Sequence, residues 1–276
     1  METRAKGMRY TVGRFVGKTK AYGVILAAAA VAGLVAVPSA GADEAQAREI
    51  FKAMSDYLAA QTAISFEYDS TLEVVTTDNQ KMSLASSGAV TLERPDKIRA
   101  TRRGGFANVE MTFDGKTMSL LGKDVNVYSR IEVPGDIDHL VDELRDTYHR
   151  PAPAADLLMS NVAAQLEPLV TDVKDLGSGV IGGVECDHLA FRTEQADFQI
   201  WIAQGDRPYP CRYSITTTSV TGWPQYTIDV MDWKTGGDVA AADFGFEAPA
   251  GAKELKPEDL PHLDELPEAF IPKGAQ

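Results

Sequence analysis

The chain contains 276 residues, with 27 basic and 40 acidic side chains, a formal net charge of −13 and two cysteines. This length suffices for one large domain or two small ones, and no low-complexity linker or internal repeat divides it. An acidic surface repels nucleic acid and anionic membranes, so the composition excludes a nucleic-acid-binding protein. It does not exclude a protein that holds one lipid molecule inside a pocket.

Residues 1–42 have the organisation of a secretory signal peptide. Six basic residues come first, an uncharged apolar run extends from Tyr22 to Val37, and Ala40-Gly41-Ala42 forms a small-x-small pattern before Asp43. This pattern predicts export to the periplasm, with cleavage after Ala42. The alternative is a retained membrane anchor, although the apolar run is at the short limit for a span. After cleavage the chain has a net charge of −18, and we expect no stable membrane span.

An amphipathic helix is predicted over Asp43–Gln61, with Asp43 as its cap and apolar residues at helical spacing from Ala47 to Leu58. From Ile64 the apolar period becomes two, which is typical of half-buried antiparallel strands. Short strands of this kind continue as far as Ile131. Asp114-Gly115 is a strong hairpin signal between two of them.

The region near 136–168 is predicted to be a helical insert, capped by Asp136 or Asp138. Short helices are expected at Ala154–Met159 and Val162–Leu166. Five more strands follow, at Val170–Leu176, Val184–Arg192, Phe198–Ala203, Cys211–Val220 and Tyr226–Trp233. The glycines between 177 and 183 predict a hairpin turn, because no helix follows them as it would in a phosphate loop. The domain is expected to span 43–250, followed by a proline-rich acidic tail over 251–276.

This order of elements predicts an α+β fold, in which a strongly curved antiparallel sheet, or half-barrel, has helices covering its concave face. Such a sheet leaves an apolar cleft under the helices, and a cleft of this kind suits acyl chains. Alternation assigns the cavity wall to Phe66, Tyr68, Leu84, Val90, Met111, Leu120, Phe191 and Ile200, and the helical cover to Leu140, Leu144, Leu157 and Leu158.

Several segments resemble a family of predicted periplasmic proteins, domain of unknown function 2092. They are Phe113-Asp114-Gly115-Lys116-Thr117, Asn126-Val127-Tyr128, Cys186-Asp187-His188-Leu189-Ala190-Phe191-Arg192 and Gln199-Ile200-Trp201-Ile202. That family is similar in fold to the LolA-like and LppX-like lipoprotein carriers, whose half-closed antiparallel barrel is lidded by helices and holds lipidic cargo. The resemblance therefore implies a LolA-like fold and a class of ligand, and it supplies no catalytic residue.

Cys186 and Cys211 admit two interpretations. An isolated pair in an oxidising compartment suggests a disulfide, which would close a loop of about 26 residues. If a strand lies between them, however, the two cysteines are about 9.6 Å apart, whereas a disulfide needs Cα atoms within about 7 Å. The alternative is two separate buried thiols.

Two further clusters have a functional and a structural interpretation. Cys186 and His188 face the same side of a strand, as in a Cys–His nucleophile or a metal site. A structural strand with a hydrogen-bonded histidine is the favoured interpretation, because Asp187 points to the opposite face and cannot orient His188. The sequence indicates no metal site and no cofactor. The basic cluster is either a docking patch for an acidic partner or anionic head group, or a solvated strand end; it contains Lys97, Arg99, Arg102 and Arg103.

The leading hypothesis is an exported periplasmic binding or carrier protein, not an enzyme, that holds a lipid, lipoprotein or other hydrophobic ligand. The alternative is a non-catalytic scaffold that binds another protein of the cell envelope. A periplasmic hydrolase ranks third, because no recognisable pair of catalytic carboxylates or activated nucleophile is present.

Overall fold

The computed structural model describes residues 40–76, 78–105, 107–148 and 154–257, with side chains from residue 43 onward. The predicted signal segment before residue 40 and the predicted tail after residue 257 lie outside these ranges. Across the described ranges, every helix is too short or too polar to cross a membrane.

The described residues form twelve strands, three α-helices and three short 3-10 turns. In chain order they are α1 (Ala40–Ala60), β1 (Ala63–Val75), β2 (Lys81–Glu93), β3 (Lys97–Gly104), β4 (Asn108–Phe113), β5 (Thr117–Gly122), β6 (Val127–Glu132), α2 (Ile137–Asp146), a 3-10 turn (Ala155–Leu158), α3 (Val162–Leu166), a 3-10 turn (Glu167–Leu169), β7 (Asp172–Ile181), β8 (Val184–Arg192), β9 (Ala196–Ala203), β10 (Pro210–Thr217), β11 (Gln225–Thr235), a 3-10 turn (Gly236–Asp238) and β12 (Lys253–Glu254).

All twelve strands belong to one open sheet, in the order β12-β6-β5-β4-β3-β2-β1-β11-β10-β9-β8-β7. Neighbouring strands are antiparallel, except that β12 runs parallel to β6. This arrangement confirms the predicted α+β fold. The sheet also extends past the domain boundary predicted at residue 250, because Lys253 and Glu254 join its edge.

The sheet is strongly curved. Met111 on β4 and Pro210 on β10 line the same cavity, whose volume is about 150 Å³. Five strand spacings separate β4 from β10 in the strand order, which would place them about 24 Å apart in a flat sheet. Two residues so distant can border so small a space only if the sheet bends around it.

Helix α1 covers the part of the concave face formed by β7 to β9. Phe51 on α1 is fully buried. Its ring centre lies 4.9 Å from that of Phe191 and 6.3 Å from that of Phe198. The predicted amphipathic helix is therefore confirmed, with one correction. Because α1 begins at Ala40, Asp43 lies in its first turn and does not cap it.

The helical insert covers the other part of the concave face. Asp136 caps α2, because its carboxylate accepts a hydrogen bond from the backbone N–H of His139 at 2.8 Å. The second candidate cap, Asp138, instead accepts from the backbone N–H of Ser160 at 2.8 Å and also from the Ser160 hydroxyl. Asp138 thereby fixes α2 to the end of the 3-10 turn at Ala155–Leu158. We call α2 and this turn together the lid.

The predicted hairpin between β7 and β8 is confirmed, but its turn is shorter than expected, because β7 continues through Gly177 and Gly179 to Ile181. Gly182 and Gly183 join the paired residues Ile181 and Val184, and their φ angles are +58° and +87°. Positive φ at both central positions defines the tight hairpin turn that matches the twist of the flanking strands.

Candidate functional site

An apolar cavity of about 150 Å³ lies between the curved sheet and the lid. Its floor comes from the central strands and its roof from the lid. The lining consists of Phe66, Tyr68, Val90, Ile98, Ala100, Met111, Tyr226, Ile228, Val230 and Trp233 on the sheet, Pro210 at the start of β10, and Ile137, Leu140, Val141, Leu144, Ala154, Ala155, Leu157 and Leu158 above. No charged side chain is among these described residues.

Eight of the twelve residues assigned to the cavity from sequence lie at it. They are Phe66, Tyr68, Val90, Met111, Leu140, Leu144, Leu157 and Leu158. The other four lie elsewhere. Phe191 and Ile200 are buried in the core on the side that α1 covers. Leu120 on β5 is half-buried against the main core. Leu84 pairs with Leu72, further along β2.

Strand β11 supplies four lining residues that the sequence analysis did not assign. Tyr226, Ile228, Val230 and Trp233 reach the cavity because β11 pairs with β1. The alternation of Tyr226, Ile228 and Val230 was an available signal for one buried face. The pairing of β11 with β1 joins residues more than 150 positions apart in the chain, so no local sequence pattern predicts it.

A hydrogen bond between β10 and the 3-10 turn at Ala155–Leu158 holds the lid to the sheet. The Tyr213 hydroxyl on β10 donates to the Asp156 carboxylate on the 3-10 turn at 3.2 Å. Burial raises the pKa of Asp156 above its ordinary value, while this hydrogen bond and Arg145 oppose the rise. Burial also raises the pKa of Tyr213 well above 10.0, so its hydroxyl stays protonated and remains a donor.

One end of the cavity is polar. The Tyr68 hydroxyl donates to the carbonyl oxygen of Thr101 at 3.0 Å, and the hydroxyls of Ser70 and Ser86 lie 2.9 Å apart. The Ser70 side chain is close enough to Tyr226 to lower the pKa of its phenol. Burial raises the pKa of Tyr68 to about 12 and also raises that of Tyr226, so both phenols are neutral donors at physiological pH.

The two cysteine side chains are in contact although β9 lies between the strands that carry them. β9 separates β8 from β10, yet the Sγ atoms of Cys186 and Cys211 are 2.8 Å apart. Cys186 pairs with Ala203, the last residue of β9, and Cys211 lies at a register shift in β10. The small side chain of Ala203 and the bulge allow the sulfurs to approach across the end of β9. Both cysteines are free thiols in this structure.

The Cys186–His188 pair lacks the features of an activated nucleophile. Burial raises the pKa of the Cys186 thiol, which keeps it protonated at neutral pH. The Nε2 atom of His188 lies 2.9 Å from Oε1 of Gln199, and its ring stacks on Trp201 with centres 4.0 Å apart. Trp201 pairs with His188 on the face opposite the cavity, so it belongs neither to the main core nor to the cavity wall.

The four basic residues predicted as one patch do not share a surface. Lys97, Arg99 and Arg103 alternate onto the convex face of β3, whereas Arg102 lies on the concave face with Ile98 and Ala100. The pairing of Arg102 with Gly88, and of Gly88 with Tyr68, fixes this placement.

The C-terminal segment covers much of the convex basic cluster. An Arg99 N–H donates to the carbonyl oxygen of Asp243 at 2.9 Å, and the Lys97 ammonium lies 6.0 Å from the ring centre of Phe244. Arg103 is exposed. Lys97 and Arg99 therefore make contacts within the chain. Within the described residues, no three His, Cys, Asp or Glu side chains gather as a metal site would require.

The chain belongs to a family described as predicted periplasmic protein (DUF2092), whose model matches residues 47–256. A comparison with curated proteins finds no match.

Several solved structures are similar in fold. An uncharacterized conserved protein from Thermus thermophilus has 12% identity, with 76% of this chain and 99% of that chain covered and a TM-score of 0.45. The lipoprotein LppX of Mycobacterium tuberculosis has 16% identity, with 72% and 100% covered and a TM-score of 0.43. The MucA/MucB complex of Pseudomonas aeruginosa matches at 15% identity over 71% of this chain and 59% of that one, with a TM-score of 0.41.

Proposed function

We propose that this protein is a periplasmic binding or carrier protein that holds a hydrophobic guest between the sheet and the lid. The observation that carries the proposal is the apolar cavity of about 150 Å³ between two layers of a domain whose core is otherwise built from buried side chains. Each methylene that a guest buries there contributes about 0.8 kcal/mol. An acyl chain can therefore bind largely through burial.

The cavity as it stands corresponds to the closed state. A hollow of this size admits a molecule such as benzene, whereas pockets for larger ligands measure about 300–1,000 Å³. A long acyl chain therefore requires the lid to move away from the sheet. We expect the two parts of the lid to move together, because Asp138 joins α2 to Ser160, two residues after the 3-10 turn. Its attachment to the sheet includes Tyr213 with Asp156 and Arg94 with the carbonyl oxygen of Met159.

The proposal includes export by residues 1–42 and removal of this segment after Ala42. The intact mass of protein recovered from periplasmic extract tests this part. A mass that begins at Asp43 supports it, and a mass that includes residues 1–42 contradicts it.

The binding function is tested by filling the cavity. Ala100 lies on its floor and Arg103 lies on the opposite face of the same strand, so Ala100→Leu and Arg103→Leu are matched variants. We expect a dansyl-labelled fatty acid to bind the wild type and Arg103→Leu with equal affinity, and Ala100→Leu at least tenfold more weakly. Native mass spectrometry of protein purified from its own host should show a bound hydrophobic molecule.

Two results would overturn the carrier proposal. One is ligand-free protein from the native host together with no uptake of the probe by the wild type. The other is equal uptake by the Ala100→Leu and Arg103→Leu variants, which would place the probe outside the cavity. Either result would leave the envelope scaffold as the better hypothesis.

A further inference from the structure

Among the strands β1–β4, all of which the structure describes, Arg102 is the one charged residue that alternation places on the concave face. The pairing registers of these strands are continuous, and they set Tyr68, Gly88, Arg102 and Val109 in one row across the sheet. The neighbouring positions on this face are apolar or hydroxyl-bearing. On a face that is otherwise uncharged in these four strands, Arg102 is therefore the side chain that can attract an anion.

The charge of Arg102 influences the two tyrosines at the polar end of the cavity. Its positive charge opposes the rise in pKa of both Tyr68 and Tyr226, two residues that line the cavity. The Arg102 Nε atom is shielded from solvent. The row that Arg102 shares with Tyr68 places Arg102 on the side of the cavity where Tyr68 and Tyr226 lie.

Gly88 makes this arrangement possible. A Cβ atom at position 88 would lie 2.6 Å from the Tyr68 ring and would collide with the carbonyl oxygen of Thr101. Without a side chain on β2, the Tyr68 ring lies across that strand and its hydroxyl reaches Thr101 on β3. The tyrosine, the arginine and the serines of neighbouring rows thus form one cluster of hydrogen-bonding groups.

We propose that the polar end formed by Arg102, Tyr68 and Tyr226 binds the anionic head group, a carboxylate or a phosphate, of an amphiphile whose chain occupies the apolar cavity. This inference rests on the proposed function and adds the class of ligand. The guanidinium supplies charge-assisted hydrogen bonds that a neutral head group cannot match. The chain then extends toward Leu140 and Leu144 of the lid.

Displacement of the dansyl-labelled fatty acid by dodecanoic acid, dodecyl phosphate and dodecanol tests the inference at pH 8, where both acids are ionised. We expect the wild type to bind at least one of the two anions roughly tenfold or more tightly than dodecanol, as one charge-assisted hydrogen bond allows. Which anion is preferred distinguishes a carboxylate from a phosphate head group.

Variants of β3 supply the controls. Arg102→Gln should bind the anions no more tightly than dodecanol while its affinity for dodecanol stays within about twofold of the wild type. Arg102→Lys should recover part of the preference. Arg103→Gln, on the opposite face, should match the wild type.

The outcomes separate the two proposals. Equal affinity of the wild type for anions and dodecanol would overturn the inference and leave the carrier proposal standing. A loss of affinity for all three compounds in Arg102→Gln alone would also overturn it, since that result indicates a structural role. Failure of the wild type to bind any of them would contradict the carrier function itself. The comparison within the wild type stands even where a variant does not fold.

Discussion

The contact between Tyr213 and Asp156 should control how readily the lid opens. Replacing Tyr213 with phenylalanine removes the hydroxyl that donates to the Asp156 carboxylate at 3.2 Å and leaves the ring in place. A hydrogen bond to a charged group contributes about 1.5–3 kcal/mol, and the long distance favours the lower end of that range. A loss of about 1.5 kcal/mol raises the open fraction of the lid about tenfold.

Burial of Asp156 in the closed lid should also make lid opening depend on pH. Burial raises the pKa of Asp156 from 3.8, so the closed lid favours the neutral carboxyl. Its stabilising effect is complete below pH 3.8 and is lost as the pH rises through the raised pKa. The charges that face Asp156 include Arg145 on α2, which reduces the shift. Uptake of the probe by the wild type should therefore become faster as the pH rises.

Stopped-flow uptake of the dansyl-labelled fatty acid measures both effects. We expect Tyr213→Phe to take up the probe about tenfold faster than the wild type at pH 8. Asp156→Asn keeps an acceptor for Tyr213 without a charge, so its uptake should be slow and independent of pH. Unchanged uptake in Tyr213→Phe, or uptake by the wild type that slows as the pH rises, would refute this account of the lid.

Two further predictions concern the sheet. Because the Sγ atoms of Cys186 and Cys211 lie 2.8 Å apart, protein exported to an oxidising compartment should contain a disulfide that stabilises it by about 3 kcal/mol; alkylation of both thiols in non-reduced periplasmic protein would contradict this. Gly88→Ala should lower the free energy of unfolding by about 1–3 kcal/mol, because the added methyl group meets the backbone of Thr101 and the Tyr68 ring. Urea denaturation measures that change, and an unaltered midpoint would count against the close packing of Tyr68 over β2.

The local features of this fold could be predicted from sequence because they depend on neighbouring residues. The alternation from Ile64 to Val74 defined β1, and the glycines at 182 and 183 defined the β7–β8 turn. The pairing of β1 with β11 depends on residues distant in the chain, so periodicity could not reveal it. For the same reason β12, which pairs with β6 over two residues, was missed.

The candidate site could be predicted only in part. Alternation identifies the face of a strand that is buried, and it placed Phe66 and Met111 correctly on the concave face. It cannot show which helix covers each part of that face. Phe191 and Ile200 share the same face as the cavity residues, but α1 packs on this part of the sheet and fills the space with Phe51.

The cavity is costly for the fold, and this cost favours a binding role over a scaffold. Protein interiors rarely keep voids larger than a water molecule. At about 24 cal/mol per Å³ of enclosed void, a hollow of 150 Å³ would cost up to about 3.6 kcal/mol. Small residues maintain it from both layers, since Ala100 lies on the floor and Ala154 and Ala155 lie in the roof. Ala100→Leu should therefore stabilise the protein by about 0.5–2 kcal/mol while it weakens binding of the probe. A scaffold would have no reason to forgo that stability, whereas a carrier requires the space.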